Sequence, residues 1–313
     1  MSLYRNSKEK LALIKEKPFS LERELQSVTE KNLNEIFGLE FVASEFQHNN
    51  LRIDTLAYDT YKKSFVVIEY KREKSFSVVD QGFAYLSLIL NNQAEFVLEF
   101  NKKFQEKKGK ADFDWSQMRV LFLTRSFTVH QLEAINFRDL PIELWEVTRY
   151  EGDVLQYLQI KSSGTKASIE TLGISNSEVN KVSKEVKNYS EDDYLSSKPD
   201  GNGKKLYSQL KEKISIIDSE VVAHPTKSYI SFQLPNNWRN IFYCHISSNK
   251  VRIDFTRTKP EDFKDPEKKV YYNENSIKYY KQDISSVEIS SEKELEYGIY
   301  LIQQAYDKFV KEN

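Results

Sequence analysis

Leu51, Ile53, Leu56 and Tyr58 give residues 51–58 the alternating pattern of a strand, with Asp54 as its exception. Phe65-Val66-Val67-Ile68 is a continuous apolar run of the kind found in a strand buried on both faces. The intervening Asp59 to Ser64 is polar and turn-like, so the pattern predicts a hairpin whose second strand runs on into Glu69-Tyr70-Lys71. Ahead of it, Pro18 and Ser20 predict a helix start, with Leu21, Leu25, Val28, Leu33 and Ile36 forming one apolar stripe. Glu22 stands about 100° from Leu21 on that helix, so it is expected to point toward the core. Ser75 caps a second predicted helix, Phe76 to Asn92, on which Gln81 and Tyr85 share one face.

Strands Arg119–Thr124, Ile142–Thr148 and Val154–Ile160 and a helix from Thr128 to Phe137 complete the first half. The expected architecture for residues 1–160 is α/β, a mixed sheet flanked by helices. Residues 161–200 are rich in Ser, Asn, Lys and Glu and read as a linker with one short helix, 177–188. Residues 201–313 predict a smaller α+β domain: helix Lys204–Ile216, strands near Tyr229–Leu234, Ile241–Ser247, Val251–Thr256 and Ser286–Ile289, and helix Glu292–Val310.

Composition narrows the partners. With 313 residues, a net charge of −1 and a pI near 6.5, the chain has no global field for nucleic acid, so binding would rest on local basic patches. Lys102 and Lys103, with Lys107, Lys108 and Lys110 around Phe104 and Gly109, form one in a polar connection, to be read as a phosphate grip or a solvated loop. Arg72 and Lys74, directly after the Glu-Tyr-Lys triplet, are better placed to meet a phosphate. The lone Cys244 excludes an internal disulfide and fits a reducing cytoplasm. The four histidines lack metal-binding spacing, and His224 and His245 read as structural. The charged N-terminus is unlike a signal peptide, and no apolar run spans a membrane.

An acid in a buried strand costs several kcal/mol unless something pairs with it. Asp54 and Glu69 invite two explanations: a buried ion pair with no chemistry, or two hard oxygen ligands for Mg²⁺, which commonly takes only one or two protein carboxylates. Glu69 and Lys71, two apart, face one side of the strand, which sets a fixed positive charge about 6–7 Å along from the ligand. That charge would serve a water nucleophile or a scissile phosphate.

Glu22, Asp54, Glu69-Tyr70-Lys71, Gln81 and Tyr85, in this order, resemble the PD-(D/E)xK nuclease superfamily. Leu51-Arg-Ile-Asp-Thr-Leu-Ala, Val67-Ile-Glu-Tyr-Lys-Arg and Asp80-Gln-Gly-Phe-Ala-Tyr-Leu look more closely like the nuclease domain of NucS-type endonucleases, over about residues 15 to 125. The superfamily's proline before the first acid is Ile53 here. The resemblance implies a restriction-endonuclease-like fold and a DNA endonuclease dependent on Mg²⁺ or Mn²⁺. It makes Asp54 and Glu69 the metal ligands, Lys71 the hydrolytic lysine, Glu22 a helix-borne acid, and Gln81 and Tyr85 supporting residues. It also implies a possible homodimer. The alternative is a nuclease-fold module that binds nucleic acid or a protein partner without cutting.

In the second half, Arg252-Ile253-Asp254 repeats Arg52-Ile53-Asp54, but no acid-x-lysine strand follows, so the repeat reads as chance. Tyr271, Tyr272, Tyr279 and Tyr280, interleaved with Lys268, Lys269, Lys278 and Lys281, are open to base stacking or to a plain surface loop. This half resembles a small domain of uncharacterised bacterial proteins, sometimes described as transport-associated.

Overall fold

The computed structural model describes the chain except for residues 1, 20–21, 49–50, 72–77, 136–139, 162–181, 184, 187–188, 236, 281 and 313 and the side chains of Ala134 and Tyr279. The expected cap residues Ser20 and Ser75, the helix positions Phe76 and Phe137, most of the linker helix, and Arg72, Lys74 and Lys281 therefore lie outside the described residues. The chain forms two compact units, Met1–Asn188 and Tyr189–Asn313.

In the first unit, hairpin β1 (Leu3–Ser7) and β2 (Lys10–Ile14) precedes helices α1 (Glu22–Lys31) and α2 (Leu33–Phe37). A six-stranded sheet follows in the order β3 (Leu39–His48), β4 (Leu51–Asp59), β5 (Ser64–Lys71), β6 (Arg119–Thr124), β7 (Ile142–Tyr150), β8 (Val154–Ile160). Strands β3, β4 and β5 pair antiparallel, β5, β6 and β7 parallel, and β7 and β8 antiparallel. Helices α3 (Val78–Asn91) and α4 (Gln93–Phe104) form the crossover from β5 to β6, and α5 (Val129–Ala134) follows β6. This is the α/β class expected.

The alternation of side chains distributes β5 between two cores. Phe65 and Val67 pack with Phe83, Leu86 and Ile89 of α3 and Phe96 and Phe100 of α4. Val66, Ile68 and Tyr70 pack on the other face with Leu25 of α1 and Leu33 and Phe37 of α2. Burial on both faces is why β5 reads as an unbroken apolar run. Helix α3 approaches the sheet at Gly82, where a Cβ would stand 2.4 Å from Ile142 Cδ1.

One expectation changes here. Lys102 and Lys103 lie in the last turn of α4, not in a connection. Within the stretch expected as a linker with a short helix, Val182 and Val186 are buried in the first unit's core and Tyr194 in the second's.

The second unit carries a six-stranded antiparallel sheet in the order β13 (Tyr271–Tyr272), β14 (Ile284–Ile289), β12 (Val251–Thr256), β11 (Asn240–Ile246), β10 (Ile230–Gln233), β9 (Val222–Pro225). Helices Asn202–Ile217 and Glu292–Glu312 bury Leu206, Leu210, Leu301 and Ile302 with Phe242, Ile253 and Val287 of the sheet. Among the described residues no helix is long and apolar enough to cross a membrane.

Candidate active site

The β4–β5 ladder runs from Asp59↔Ser64 to Thr55↔Ile68 and stops there, although β4 begins four residues earlier at Leu51. Past that point the Asp54 side chain replaces a main-chain acceptor: its Oδ2 takes the Tyr70 amide at 3.1 Å. Glu69 lies one residue beyond the last pair and is buried. Strand periodicity turns Glu69 and Lys71 to the α3 side and Tyr70 to the α1 side, where its hydroxyl lies 3.2 Å from Thr55 Oγ1.

Glu69 is held from three directions. Lys71 Nζ donates to Oε1 at 2.7 Å and Gln81 Nε2 to the same oxygen at 2.9 Å. The Tyr85 hydroxyl stands 2.8 Å from Oε2 and 3.0 Å from the Arg52 carbonyl, with one proton for both, and Gln81 Nε2 donates to that hydroxyl at 3.0 Å. The spacing of Gln81 and Tyr85 on α3 thus becomes one clamp on one carboxylate. Burial, then the Glu69 charge, raises the Tyr85 phenol well above its ordinary value, so it stays a donor at neutral pH.

Burial and, next, the charge of Glu69 push the Asp54 carboxyl up from 3.8 to about 6, against the lowering effects of the Tyr70 amide and Lys71; Glu45 adds a smaller rise. Asp54 Oδ1 faces Arg52 Nη2 at 3.9 Å, and Arg52 Nε lies 3.0 Å from Glu45 Oε2. Gln26 of α1 adds donors at 3.0 Å from the Asp54 carbonyl and 3.3 Å from Glu45 Oε1.

Not every expected residue converges here. Glu22 is exposed at the first position of α1 rather than turned into the core; the buried run of that helix begins a turn later, at Leu25, Gln26 and Thr29. Its neighbour Glu24 pairs with Arg149 of β7 at 2.5 Å. Lys102 Nζ stands 3.7 Å from Glu99, and Lys103 Nζ lies 4.9 Å above the Phe41 ring. Lys108 sits over Phe100 at 4.5 Å and over Tyr58 at 5.3 Å. Tyr58 is four residues along β4 from Asp54, about 13 Å away, so Lys108 is not with the acids. Gln26 and Glu45 are neighbours that sequence reading missed. Gln26 carried a signal, lying four residues after Glu22 on one helix face; Glu45 carried none.

Among the described residues no group of three His, Cys, Asp or Glu side chains is arranged to hold a metal. The set on offer is two carboxylates, which is the number Mg²⁺ commonly takes from a protein.

In the second unit, Asp254 is buried and its charge is met by His245 Nε2 at 3.0 Å, Arg252 Nε at 3.0 Å and the Ser286 hydroxyl at 2.8 Å. Because Asp254 is satisfied inside the sheet, the Arg-Ile-Asp repeat has a packing explanation. Tyr280 stacks on Tyr243 with ring centroids 6.5 Å apart.

The first unit is therefore an α/β domain with an acid–acid–lysine cluster at the open end of an antiparallel strand pair. The chain belongs to the same family as an uncharacterized protein of Haemophilus influenzae (strain ATCC 51907 / DSM 11121 / KW20 / Rd), with 36% identity over 305 residues, 97% of this chain and 99% of that one. Residues 191–308 match the family model of a domain of unknown function, DUF5655. Two solved structures are similar in part. A repair endonuclease from Pyrococcus abyssi matches at 18% identity over 42% of this chain and 49% of that one, with a TM-score of 0.23. An EndoMS complex with double-stranded DNA matches at 14% identity over 46% of this chain and 65% of that one, with a TM-score of 0.23. This chain thus spans about half the length of the first and under two thirds of the second.

Proposed function

We propose that the first unit is a divalent-metal-dependent endonuclease that hydrolyses phosphodiester bonds in DNA. The observation that carries this reading is the buried Glu69, clamped by Lys71, Gln81 and Tyr85, beside Asp54, whose Oδ2 takes the Tyr70 amide. Asp54 and Glu69 would hold Mg²⁺ or Mn²⁺, since hard carboxylate oxygens suit both ions. Such an ion would supply positive charge to a scissile phosphate and make water more acidic.

The chain's own residues do the rest. Lys71 places its ammonium 2.7 Å from Glu69 Oε1, where it can donate a hydrogen bond to water, orienting it, or to a phosphate oxygen as negative charge develops. Gln81 and Tyr85 fix the direction of both Glu69 oxygens, so the carboxylate need not reorganise during the reaction.

The test is cleavage of labelled single-stranded, duplex and branched or mismatched DNA in Mg²⁺ or Mn²⁺. Wild type is expected to cut at least one of these, Asp54→Ala and Lys71→Ala to lose cutting by at least about a hundredfold, and Lys71→Ala to keep its Mn²⁺ binding. No cutting of any of them by a wild-type protein that still binds DNA would make the first unit a silent binding module.

A further inference from the structure

Arg52 stands at the mouth of this site without being buried in it. Its carbonyl oxygen lies 3.0 Å from the Tyr85 hydroxyl, which places its main chain at the site, while its side chain is 57% exposed. The guanidinium spans two carboxylates, with Nε 3.0 Å from Glu45 Oε2 and Nη2 3.9 Å from Asp54 Oδ1. Glu45 is set opposite Asp54 by the β3–β4 ladder, between the pairs Ser44↔Thr55 and Phe46↔Ile53. It adopts φ 53°, a left-handed conformation that is unfavourable for a glutamate and is sustained by its surroundings. Gln26 supports it at 3.3 Å. Lys71 pairs with Glu69 and also bears on Asp54, while Arg52 approaches Asp54 from the exposed side at 3.9 Å.

Resting on the reading above, we infer that Arg52 is the phosphate-contacting arm of this site and competes with a divalent cation for Asp54 Oδ1. The charges set the direction of the exchange. A divalent ion held by Asp54 and Glu69 would offset the carboxylate charge that attracts Arg52 and would repel the guanidinium, which frees the arm from Asp54 for a phosphate. A half-exposed ion pair holds its partners weakly, so the arm moves at little cost. A guanidinium also suits the task, because its planar fork matches two phosphate oxygens where an ammonium offers a single point of charge. Glu45 keeps the arm at the mouth, on the side of Asp54.

The experiment uses the full-length protein and two binding readouts. Mn²⁺ binding is followed by electron paramagnetic resonance for wild type, Arg52→Gln, Arg52→Lys and Asp54→Asn. Binding of a labelled DNA duplex is followed in Ca²⁺ at low salt. Arg52→Gln is expected to bind Mn²⁺ about three- to tenfold more tightly, from loss of one competing charge, and DNA about tenfold more weakly, from loss of one phosphate contact. Arg52→Lys is expected to return Mn²⁺ affinity toward wild type while recovering only part of the DNA affinity. Arg52→Gln with unchanged or weaker Mn²⁺ binding, or with unchanged DNA binding, overturns the inference, and loss of Mn²⁺ binding in Asp54→Asn then leaves the metal reading standing. An Asp54→Asn protein that binds Mn²⁺ as wild type does, or a wild type that binds none, overturns both.

Discussion

Asp54 carries a cost of its own. Its carboxyl is raised from 3.8 to about 6, so folding favours the protonated form. That contribution is fully present below about pH 4, is lost as pH rises toward about 6, and is absent above it. Fully expressed, the shift is worth roughly 3 kcal/mol; with solvent screening at this site, about 1–2 kcal/mol is expected. Asp54→Asn in chelator should therefore raise the unfolding free energy from urea titration by that amount near pH 7, seen as a higher midpoint, and lose the advantage near pH 4. An equal midpoint at neutral pH would show that Asp54 is not strained in the folded chain. At this scale the sequence was legible where a residue's face followed from strand period alone. Asp54, Glu69 and Lys71 on the strands and Gln81 and Tyr85 on α3 meet as their spacing required. Glu22 failed for a reason of depth: helical angle chooses a face, but Glu22 stands a turn ahead of the buried run. Glu45 was invisible because its left-handed backbone leaves no mark in the sequence.

At the scale of elements, α3 links the site to the sheet. Gly82 lies directly beside Gln81, and its missing Cβ lets the helix close on Ile142, a buried side chain of β7. Gly82→Ala is expected to destabilise the first unit by about 1–3 kcal/mol through overpacking. It should also weaken Mn²⁺ binding, because lifting α3 pulls Gln81 and Tyr85 from Glu69. A variant with an unchanged thermal midpoint and unchanged Mn²⁺ affinity would show that Ile142 yields freely. The central strands were legible because burial on both faces, as in β5, writes a strong apolar signal. Strand β3 was not predicted: Leu39–His48 includes Glu40, Ser44, Glu45, Gln47 and His48, a half-exposed pattern that resembles a loop. Hairpin β1–β2 was missed for the same reason, being exposed along nearly its whole length.

At the scale of the molecule, each unit has its own core, the first around β5 and the second around β11 and β12. Two separable unfolding transitions are expected, and Gly203 offers a way to assign them. A Cβ there would stand 2.0 Å from the Ser247 carbonyl oxygen, a main-chain atom unable to move aside. Gly203→Ala should lower the second unit's transition by about 2–4 kcal/mol and leave the first in place. A single transition that shifts as a whole would mean that the units unfold together. The composition change near residue 161 opens the polar stretch within which the units divide, between Asn188 and Tyr189, while its isolated apolar positions Val182 and Tyr194 gave no sign of which core each joins.

The ladder that ends at Thr55↔Ile68 has one more consequence. Asp54 reaches the Tyr70 amide, and Glu69 faces α3, only in this alignment of the hairpin. A slip of one residue would turn Glu69 and Lys71 from α3 toward α1 and carry Asp54 away from its amide. For a protein proposed to cut DNA this is a safeguard: a chain that closes its hairpin wrongly has no cutting site at all, so errors of folding yield silent molecules rather than indiscriminate ones.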